Sequence, residues 1–250
     1  MPKERIEKDS ELKEVLEDVF DYRTVMAVYR LMNRGVLKKL YGTVSTGKEA
    51  RVYWGKTPRD EDVAVKIYLV WTSEFRKNRL KYIVGDPRFE NITRDPIKFI
   101  SLWCRKEFRN LKRAHSVGLP VPRPIAFEEN ILVMEFLGER GLPYPLLKNI
   151  SPKNPDKIFQ DVKRFIWRLY TEAELVHADL SEYNVMLKGD DQIIVIDFGS
   201  AVLRSHPNAV DFLRSDVENI YRFFQKLGVE TGPPEEFIES LLNSDEPAQG

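Results

Sequence analysis

The chain has 250 residues, a length that suits one large domain or two small lobes with buried cores. Its 39 basic and 39 acidic residues cancel to a formal net charge of zero, so no overall basic field favours DNA or RNA as a partner. A single cysteine, Cys104, excludes an intramolecular disulfide, and no apolar run is long enough to span a membrane. These features predict a cytoplasmic protein that is not anchored in a membrane.

Two short helices are predicted near the N-terminus, over residues 11–20 and 22–34, in a stretch whose charge is unlike that of a signal peptide. The second helix has apolar residues at helical spacing: Val25, Val28, Leu31 and Met32. Gly35 provides a C-cap for that helix. Residues 1–40 are too short for a complete winged domain, so we expect them to buttress the domain that follows.

The pattern changes to strands after Leu40. The segments "ARVYWG" and "DVAVKIYLV" are rich in β-branched and aromatic residues, and "KTPRDE" between them has the composition of a turn. These segments predict a β-hairpin. Residues 71–98 are predicted to form a long mobile insertion with weak helix at most. Helices are predicted over 99–118, 155–174 and 206–228, and the second of these is amphipathic. Strands are predicted at "PIAF" and "ILVMEF", and a buried strand is predicted to end at Asp197.

The segment "YGTVSTGKEARVYWG" nearly matches a Walker A phosphate loop, with Gly42 five positions before Gly47 and Lys48 directly after it. However, Glu49 stands where a magnesium-binding Ser or Thr is required. A Walker A loop also leads into a helix, whose N-terminus helps to bind the phosphates, whereas a strand follows here. The Walker A interpretation is therefore rejected.

Two loops contain Asp and Asn residues whose spacing resembles that of the catalytic and metal-binding loops of protein kinases. The first contains Asp179 and, five positions later, Asn184; the second contains Asp197 in "IDFG" after a hydrophobic strand. Phosphoryl transfer requires a carboxylate that orients the attacking hydroxyl, which we assign to Asp179. It also requires oxygen ligands for magnesium, which we assign to Asn184 and Asp197. His177 is expected to brace the catalytic loop rather than to act as the base.

The remaining kinase residues lie at the places that this interpretation predicts. Lys66 in "VAVKIY" would reach the nucleotide phosphates, and Glu107 on the next helix would pair with it. Their separation of 41 positions is long for a kinase, and the 71–98 insertion accounts for the excess. On the strand, Ala64 shares the face of Lys66, as expected beside a nucleotide cleft.

The turn "STGKEARV" takes the place of the kinase glycine-rich loop. Gly47 occupies the middle glycine position, and Val52 falls where the loop pattern has valine. Ser45 and Lys48 would replace contacts that backbone amides make elsewhere. We predict that Ser45, Gly47, Lys48, Glu49 and Val52 cover the phosphates.

Several motifs together resemble the RIO family of atypical serine kinases, first subfamily, over roughly residues 25–228: "STGKEA", "KEFRNL", "MEF-GE", "ELVHADLSEYN" and "HPNAVDFLRSD-ENIYRFF". The resemblance implies that Met134 is the gatekeeper, with the Glu135 carbonyl and the Leu137 amide meeting adenine. It also implies that the family's flexible loop maps onto residues 71–98.

The resemblance implies an α+β, bilobal, protein-kinase-like fold. Residues 1–40 would form N-terminal helices, 41–134 a β-rich N-lobe and 135–250 a reduced, mostly helical C-lobe. The implied cofactors are ATP and Mg²⁺, with Mn²⁺ as a substitute. The implied activity is transfer of the γ-phosphate to serine, including autophosphorylation, or to water. The implied partner is the pre-small-ribosomal-subunit particle in the cytoplasm, with its protein and its rRNA, and neither DNA nor a membrane.

Some positions depart from ordinary protein kinases. Ala178 replaces an arginine, Ser181 replaces the catalytic-loop lysine, and no "APE" follows Asp197. These departures are shared with the RIO family, and they argue against efficient phosphorylation of generic peptides. Ser200 departs from the family itself, where glutamine is expected.

Two alternatives stay open. One is a nucleotide-gated binding module on a pre-ribosomal particle, with little true kinase activity. The other is a different small kinase, either of the KEOPS type or of the aminoglycoside type, because both carry a similar pair of loops. The "STGKEA" turn, the insertion and "HPNAVDFLRSD" argue against both small kinases.

Overall fold

The computed structural model describes residues 21–69, 73–89 and 93–244. The helix predicted over 11–20 lies outside the described residues. The described helices are α1 (Tyr22–Asn33), α2 (Ser73–Arg79), α3 (Pro96–Ser116), α4 (Pro155–Thr171), α5 (Ala209–Lys226) and α6 (Pro234–Asn243). The strands are β1 (Lys39–Thr46), β2 (Ala50–Lys56), β3 (Asp62–Tyr68), β4 (Pro124–Glu128), β5 (Ile131–Glu135), β6 (Gly138–Glu139), β7 (Leu142–Pro143), β8 (Leu175–Val176), β9 (Val185–Lys188), β10 (Gln192–Val195) and β11 (Val202–Leu203).

The N-terminal part is a five-stranded antiparallel sheet in the order β1-β2-β3-β5-β4. The hairpin predicted from "ARVYWG" and "DVAVKIYLV" is β2–β3, with Val52 opposite Lys66. Val63, Val65 and Ile67 alternate along β3 and are buried on one face of the sheet, because successive side chains of a strand point to opposite faces. This alternation places Lys66 on the other face.

Helix α1 packs on the outer face of this sheet. Asp21 caps its first turn by accepting hydrogen bonds from the backbone of Arg23 and Thr24, and Gly35 follows its end in the left-handed region (φ +69°) that favours glycine. Val28 and Leu31 are fully buried in the same core as β3 and β5. Burying two such side chains contributes about 4 kcal/mol, which suits the expected buttress.

The C-terminal part is mostly helical around a second core. The apolar stripe predicted on α4 is buried there: Ile158, Phe159, Val162, Phe165, Ile166, Leu169 and Tyr170. Three short antiparallel pairs, β6–β7, β8–β11 and β9–β10, connect and flank the helices. The β8–β11 and β9–β10 pairs hold the loops that follow Val176 and Val195 against this helical base. None of the described helices has the length and apolarity needed to cross a membrane.

The segment 73–89 differs from the expectation of weak helix at most. It forms α2, a 3₁₀ turn over Leu80–Tyr82 and a short loop. Its Tyr82 and Ile83 are buried in the second core, the one around the C-terminal helices. The Tyr82 ring lies 5.1 Å from that of Phe212 on α5. Helix α3 begins at Pro96, three positions earlier than predicted, because Asp95 caps it and Pro96 suits the first helical turn. The segment is also held by α3, because Tyr82 contacts the ring of Trp103 and Arg88 donates to Asn110.

Candidate active site

A cleft of about 820 Å³ lies between the sheet and the helical part. Residues from both parts line it, and the predicted site residues among them are Ser45, Gly47, Lys48, Glu49, Val52, Ala64, Lys66, Met134, Glu135, Leu137, Asp179, Asn184 and Asp197. Of the predicted site residues, Glu107 alone is set behind the wall, where its side chain is fully buried on α3. Folding therefore gathers residues that are spread over about 150 positions of the chain.

Lys66 joins three elements at the centre of the cleft. Its Nζ lies 2.9 Å from Oε1 of Glu107 and 3.0 Å from Oδ1 of Asp197. Burial by itself would lower the pKa of this amine, but the two carboxylates outweigh burial and raise it. Lys66 is therefore cationic at neutral pH and ties strand β3 to helix α3 and to the loop after β10.

Tyr68 completes the environment of Glu107. Its hydroxyl donates to Oε2 of Glu107, so that both carboxylate oxygens have a partner. Burial raises the pKa of Glu107 and holds that of Tyr68 well above its usual range. Tyr68 is not among the residues predicted for the site, although its position two residues after Lys66 places both side chains on one face of the strand.

Asp197 occupies a backbone conformation that L-residues rarely adopt, with φ +65°. Such strain is retained where the surroundings enforce it, and it turns this carboxylate toward the cleft. Burial would raise the pKa of Asp197, but the charge and hydrogen bond of Lys66 outweigh burial and lower it. About half of the side-chain surface (49%) is exposed to the cleft. An ionised, accessible carboxylate follows from this arrangement.

The loop that carries Asp179 is held by hydrogen bonds on both sides. Nδ2 of Asn184 donates to the Asp179 carbonyl at 2.7 Å, which orients the Asn184 amide. Asp216, buried on α5, accepts from the amides of Ala178 and Leu180 at 2.8 and 2.7 Å. Burial raises the pKa of Asp179, and the charge of Asp197 raises it further, so Asp179 is a better proton acceptor than an ordinary aspartate.

Asp216 has no role in the sequence analysis beyond its place in "HPNAVDFLRSD". Its two buried hydrogen bonds to the loop that carries Asp179 explain its presence, because buried amides need partners. Ala178, which donates one of them, has φ +65°, so the side chain of Asp216 stabilises a strained turn. The signal in the sequence was an acidic residue on the buried face of a helix.

The loop that carries Asp197 is anchored from α3. Nζ of Lys106 donates to the carbonyls of Gly199 and Ala201 at 2.8 and 2.5 Å. Nδ2 of Asn110 donates to those of Phe198 and Ala201 at 2.9 and 2.7 Å. Lys106 and Asn110 are both fully buried. They flank Glu107 on its helix, so α3 holds both the partner of Lys66 and the loop that follows Asp197.

His177 is buried beneath the same loops. Its Nε2–H donates to the Ile196 carbonyl at 3.0 Å, and its ring lies edge-on to Phe198 at 4.9 Å between centroids. Burial lowers its pKa to about 4, so the ring is neutral at pH 7. A neutral, enclosed imidazole suits the bracing role expected from the sequence.

The stability of the fold should fall on acidification because of His177. The folded state keeps the ring neutral down to about pH 4, whereas the unfolded chain protonates it near its ordinary pKa of 6.5. Since the unfolded state binds more protons between these values, the free energy of unfolding decreases as pH falls through this window, by about 3 kcal/mol. Urea titrations at a series of pH values between 7.5 and 4 measure this change in the free energy of unfolding. The matched variant His177→Gln keeps a hydrogen-bond donor but does not titrate, so its unfolding free energy should depend less on pH. An unchanged pH dependence would contradict the assignment to His177.

The turn between β1 and β2 forms one edge of the cleft. The Gly47 amide donates to the Ala50 carbonyl at 3.0 Å, and a Cβ on Gly47 would approach that oxygen to 3.2 Å, closer than most real contacts. Ser45 pairs with Val52 across the hairpin. Glu49 forms an ion pair with Arg79 of α2, a contact that the sequence analysis did not predict.

The opposite edge is the connection after β5. Met134 lies across from Ala64 in the sheet. The Glu135 amide donates to the Arg123 carbonyl at 2.8 Å, and the Leu137 carbonyl accepts from the Tyr144 amide at 2.9 Å. These two bonds hold the connection against its neighbours, so a flat ring could be positioned between Ala64 and the C-terminal part.

Asn184 and Asp197 suit Mg²⁺ rather than a soft metal. Magnesium prefers oxygen ligands and is held in proteins by one or two carboxylates together with substrate phosphates. The amide nitrogen of Asn184 faces the Asp179 carbonyl, which turns its oxygen the other way. The ionised Asp197 would supply the negative oxygen. The residues present therefore fit the ion.

Comparison with known proteins agrees with this geometry. The family model of the RIO domain (RIO1) matches residues 51–237. The RIO-type serine/threonine-protein kinase Rio1 of Haloferax volcanii is 44% identical over 223 residues, which cover 89% of this chain and 76% of the relative. The serine/threonine-protein kinase RIO1 of Caenorhabditis elegans is 43% identical over 226 residues, covering 89% of this chain and 44% of the relative. The chain thus spans less than half of the length of that animal relative.

A solved structure confirms the predicted fold class. The Rio2 kinase of Chaetomium thermophilum, crystallised as an ADP/Mg²⁺-phosphoaspartate complex, superposes with a TM-score of 0.67 over 89% of this chain and 70% of that chain, at 22% identity. At this identity the likeness shows a shared bilobal, kinase-like fold. The match to the family model over most of the chain, together with the 44% identity to the Haloferax volcanii relative, shows that this chain belongs to the RIO domain family.

Proposed function

We propose that the chain is an ATP- and Mg²⁺-dependent serine/threonine protein kinase with accompanying ATPase activity. The observation that carries the proposal is the bridge from Lys66 to both Glu107 and Asp197, in one cleft with Asp179 and Asn184. A phosphoryl-transfer site needs a cation for the phosphates, oxygen ligands for the metal and a carboxylate near the acceptor. The relatives in Haloferax volcanii and Caenorhabditis elegans are named serine/threonine-protein kinases, which supports the same activity.

We assign the roles of the individual residues from the family resemblance, and their positions in the cleft are compatible with these roles. Met134, Glu135 and Leu137 would hold adenine, the turn around Gly47 would cover the phosphates, and Lys66 would bind the α- and β-phosphates. Mg²⁺, or Mn²⁺ in its place, would be held by Asn184 and Asp197 and would neutralise charge on the phosphates.

The reaction exchanges one phosphorus–oxygen bond for another. The acceptor oxygen, from a serine or from water, bonds to the γ-phosphorus while the bond to the β–γ bridging oxygen breaks. The proton of the acceptor passes to Asp179, and ADP leaves with the bonding pair. The raised pKa of Asp179 favours this proton transfer.

The acceptor is proposed to be a serine of the chain itself or of a specific partner, or water. Helix α5 begins at Ala209, only twelve positions after Asp197, which leaves little chain for a peptide-docking segment. Ser73, Thr93 and Ser101 in or near the insertion are candidates for autophosphorylation. The family resemblance suggests work in the cytoplasm on the pre-small-ribosomal-subunit particle, through its protein and its rRNA.

The short stretch between Asp197 and Ala209 also favours a second candidate function, a nucleotide-gated binding module on the pre-ribosomal particle. In this case ATP and Mg²⁺ would fix a docking conformation, and turnover would serve only release. For such a module, loss of ATP turnover would leave docking on the particle intact and would block only release.

A single-turnover reaction with γ-labelled ATP and Mg²⁺ tests the proposal. The expected result is label on the enzyme's own residues or in free phosphate, with little on an added generic protein. Tight nucleotide binding without turnover would replace the kinase by the binding module. A chain that neither binds nor turns over ATP would overturn both candidates.

A further inference from the structure

Arg79 is an additional cation at the cleft, contributed by the insertion. It ends helix α2 and lines the cleft with Asp179 and Asp197. Its Nη2 pairs with Glu49 of the β1–β2 turn, and its Nη1 donates to Oγ of Ser200 at 3.1 Å. Its guanidinium carbon lies 5.1 Å from the centre of the Trp103 ring. The guanidinium is thus held between the turn above the cleft and the loop below it.

The burial of Arg79 is that of a built site rather than of a surface side chain. Only 18% of the side chain is exposed, whereas Lys77 on the same helix points to solvent. Arg79 lies within electrostatic range of both Asp179 and Asp197. The space between these carboxylates and the turn is where the γ-phosphate of a bound nucleotide would have to lie.

The catalytic loop lacks a cation that ordinary protein kinases have. Ser181 stands two positions after Asp179, where those enzymes carry lysine. Negative charge on the transferred phosphoryl group still requires stabilisation during reaction, and a fixed cation aimed at that charge is an effective source.

We propose that Arg79 contacts the γ-phosphoryl group and supplies, from the insertion, the positive charge that Ser181 does not. This inference rests on the proposed kinase function. An arginine suits the role because its planar fork donates to phosphate oxygens in a bidentate manner. Ser200, where the family resemblance expects glutamine, gives a small acceptor that leaves room for the guanidinium.

Glu49 acts as the positioning residue for Arg79. Its side chain is 45% exposed, so water screens this ion pair and its strength is modest. A phosphate oxygen arriving beside the guanidinium can share or replace the Glu49 carboxylate without leaving a buried charge unpaired. Glu49 was predicted to cover the phosphates, and the contact with Arg79 assigns it an indirect way to do so.

The test compares Arg79→Met with Lys77→Met, which removes an exposed cation from the same helix. At saturating ATP and Mg²⁺, Arg79→Met should slow the single-turnover rate by about 100-fold, the effect of removing one aimed donor, and Lys77→Met should not. A second readout compares the affinities for Mg·ADP and for Mg·ADP with aluminium fluoride, which mimics the transferring phosphoryl group. Arg79→Met should lose most of the affinity gained from the fluoride while keeping its affinity for Mg·ADP within a few-fold.

Further variants separate charge from folding. Arg79→Lys keeps the charge but loses the bidentate fork, so it should recover only part of the rate that Arg79→Gln and Arg79→Met lose. Glu49→Gln should slow the reaction less than Arg79→Gln or Arg79→Met. If Arg79→Met weakens Mg·ADP binding and the fold but leaves the rate at saturating ATP unchanged, Arg79 has only a structural role and the inference is overturned. If Arg79→Lys is no faster than Arg79→Gln, it is also overturned. A wild-type chain that binds ADP but neither transfers phosphate nor gains affinity from aluminium fluoride overturns the proposed function as well.

Discussion

Replacing Asp179 with asparagine is expected to slow phosphoryl transfer by about 1,000-fold, a typical effect of losing a general base. Asparagine has nearly the same shape but cannot take a proton. The backbone of the loop should be retained, because its supports from Asn184 and Asp216 do not use the Asp179 side chain. The rate is measured in single turnover with labelled ATP, and Mg·ADP affinity should stay within a few-fold of wild type.

The pH profile provides an independent check. Asp179 must be ionised to accept the proton, and burial and Asp197 raise its pKa, so the wild-type rate should rise with pH through a value above that of a free aspartate. The Asp179→Asn variant should lose this rise. Asp190→Asn, in an exposed turn between β9 and β10, is the matched control and should behave as wild type. Full activity in Asp179→Asn would refute the assignment of the base.

Replacing Lys66 with methionine should affect both activity and stability. It removes the cation from Glu107, which is fully buried, and breaking such a pair from one side costs about 3 kcal/mol. It also removes the proposed contact with the phosphates, which should slow turnover by about 100- to 1,000-fold. Denaturant unfolding and single-turnover rates measure the two effects separately. The exposed Lys153→Met, on a solvated ion pair with Asp190, should leave both unchanged.

The double variant Lys66→Met/Glu107→Gln tests whether the unpaired carboxylate of Glu107 causes the loss of stability. Because glutamine carries no charge to bury, the double variant should be more stable than Lys66→Met alone, while its activity remains low. Tyr68 can still donate to the side-chain carbonyl of the introduced glutamine, so that interaction is preserved. Strictly additive losses of stability would show that an unpaired buried carboxylate is not the source of the cost.

The residues proposed for catalysis could be located in the sequence because each lies beside an element with a visible period. Lys66 alternates with Val65 and Ile67 on a strand, and Asp197 follows a run of apolar residues that had to be a buried strand. The fixed spacing from Asp179 to Asn184 belongs to one loop, so chemistry and local structure coincide there. Their meeting in one cleft agrees with the predicted bilobal fold.

The insertion was harder to predict. Residues 73–89 are mostly polar, and no period marks Tyr82 or Ile83 as core. Tyr82 packs against Phe212 on α5, 130 positions away, and against Trp103 on α3. A segment whose apolar residues are few can still pack when a distant surface is shaped to receive them.

The amino-acid sequence determined the family, most of the elements outside the insertion and which residues are proposed for the site, because periodicity and short motifs are local properties. The supports of that site depended on folding. Asp216 meets Ala178 across 38 positions, Asn110 meets Phe198 across 88 and Arg79 meets Ser200 across 121. Each is a single directional hydrogen bond that leaves no repeat in the sequence. Its partner is set by how the turns and helices meet in three dimensions, since a hydrogen bond tolerates little error in distance or angle.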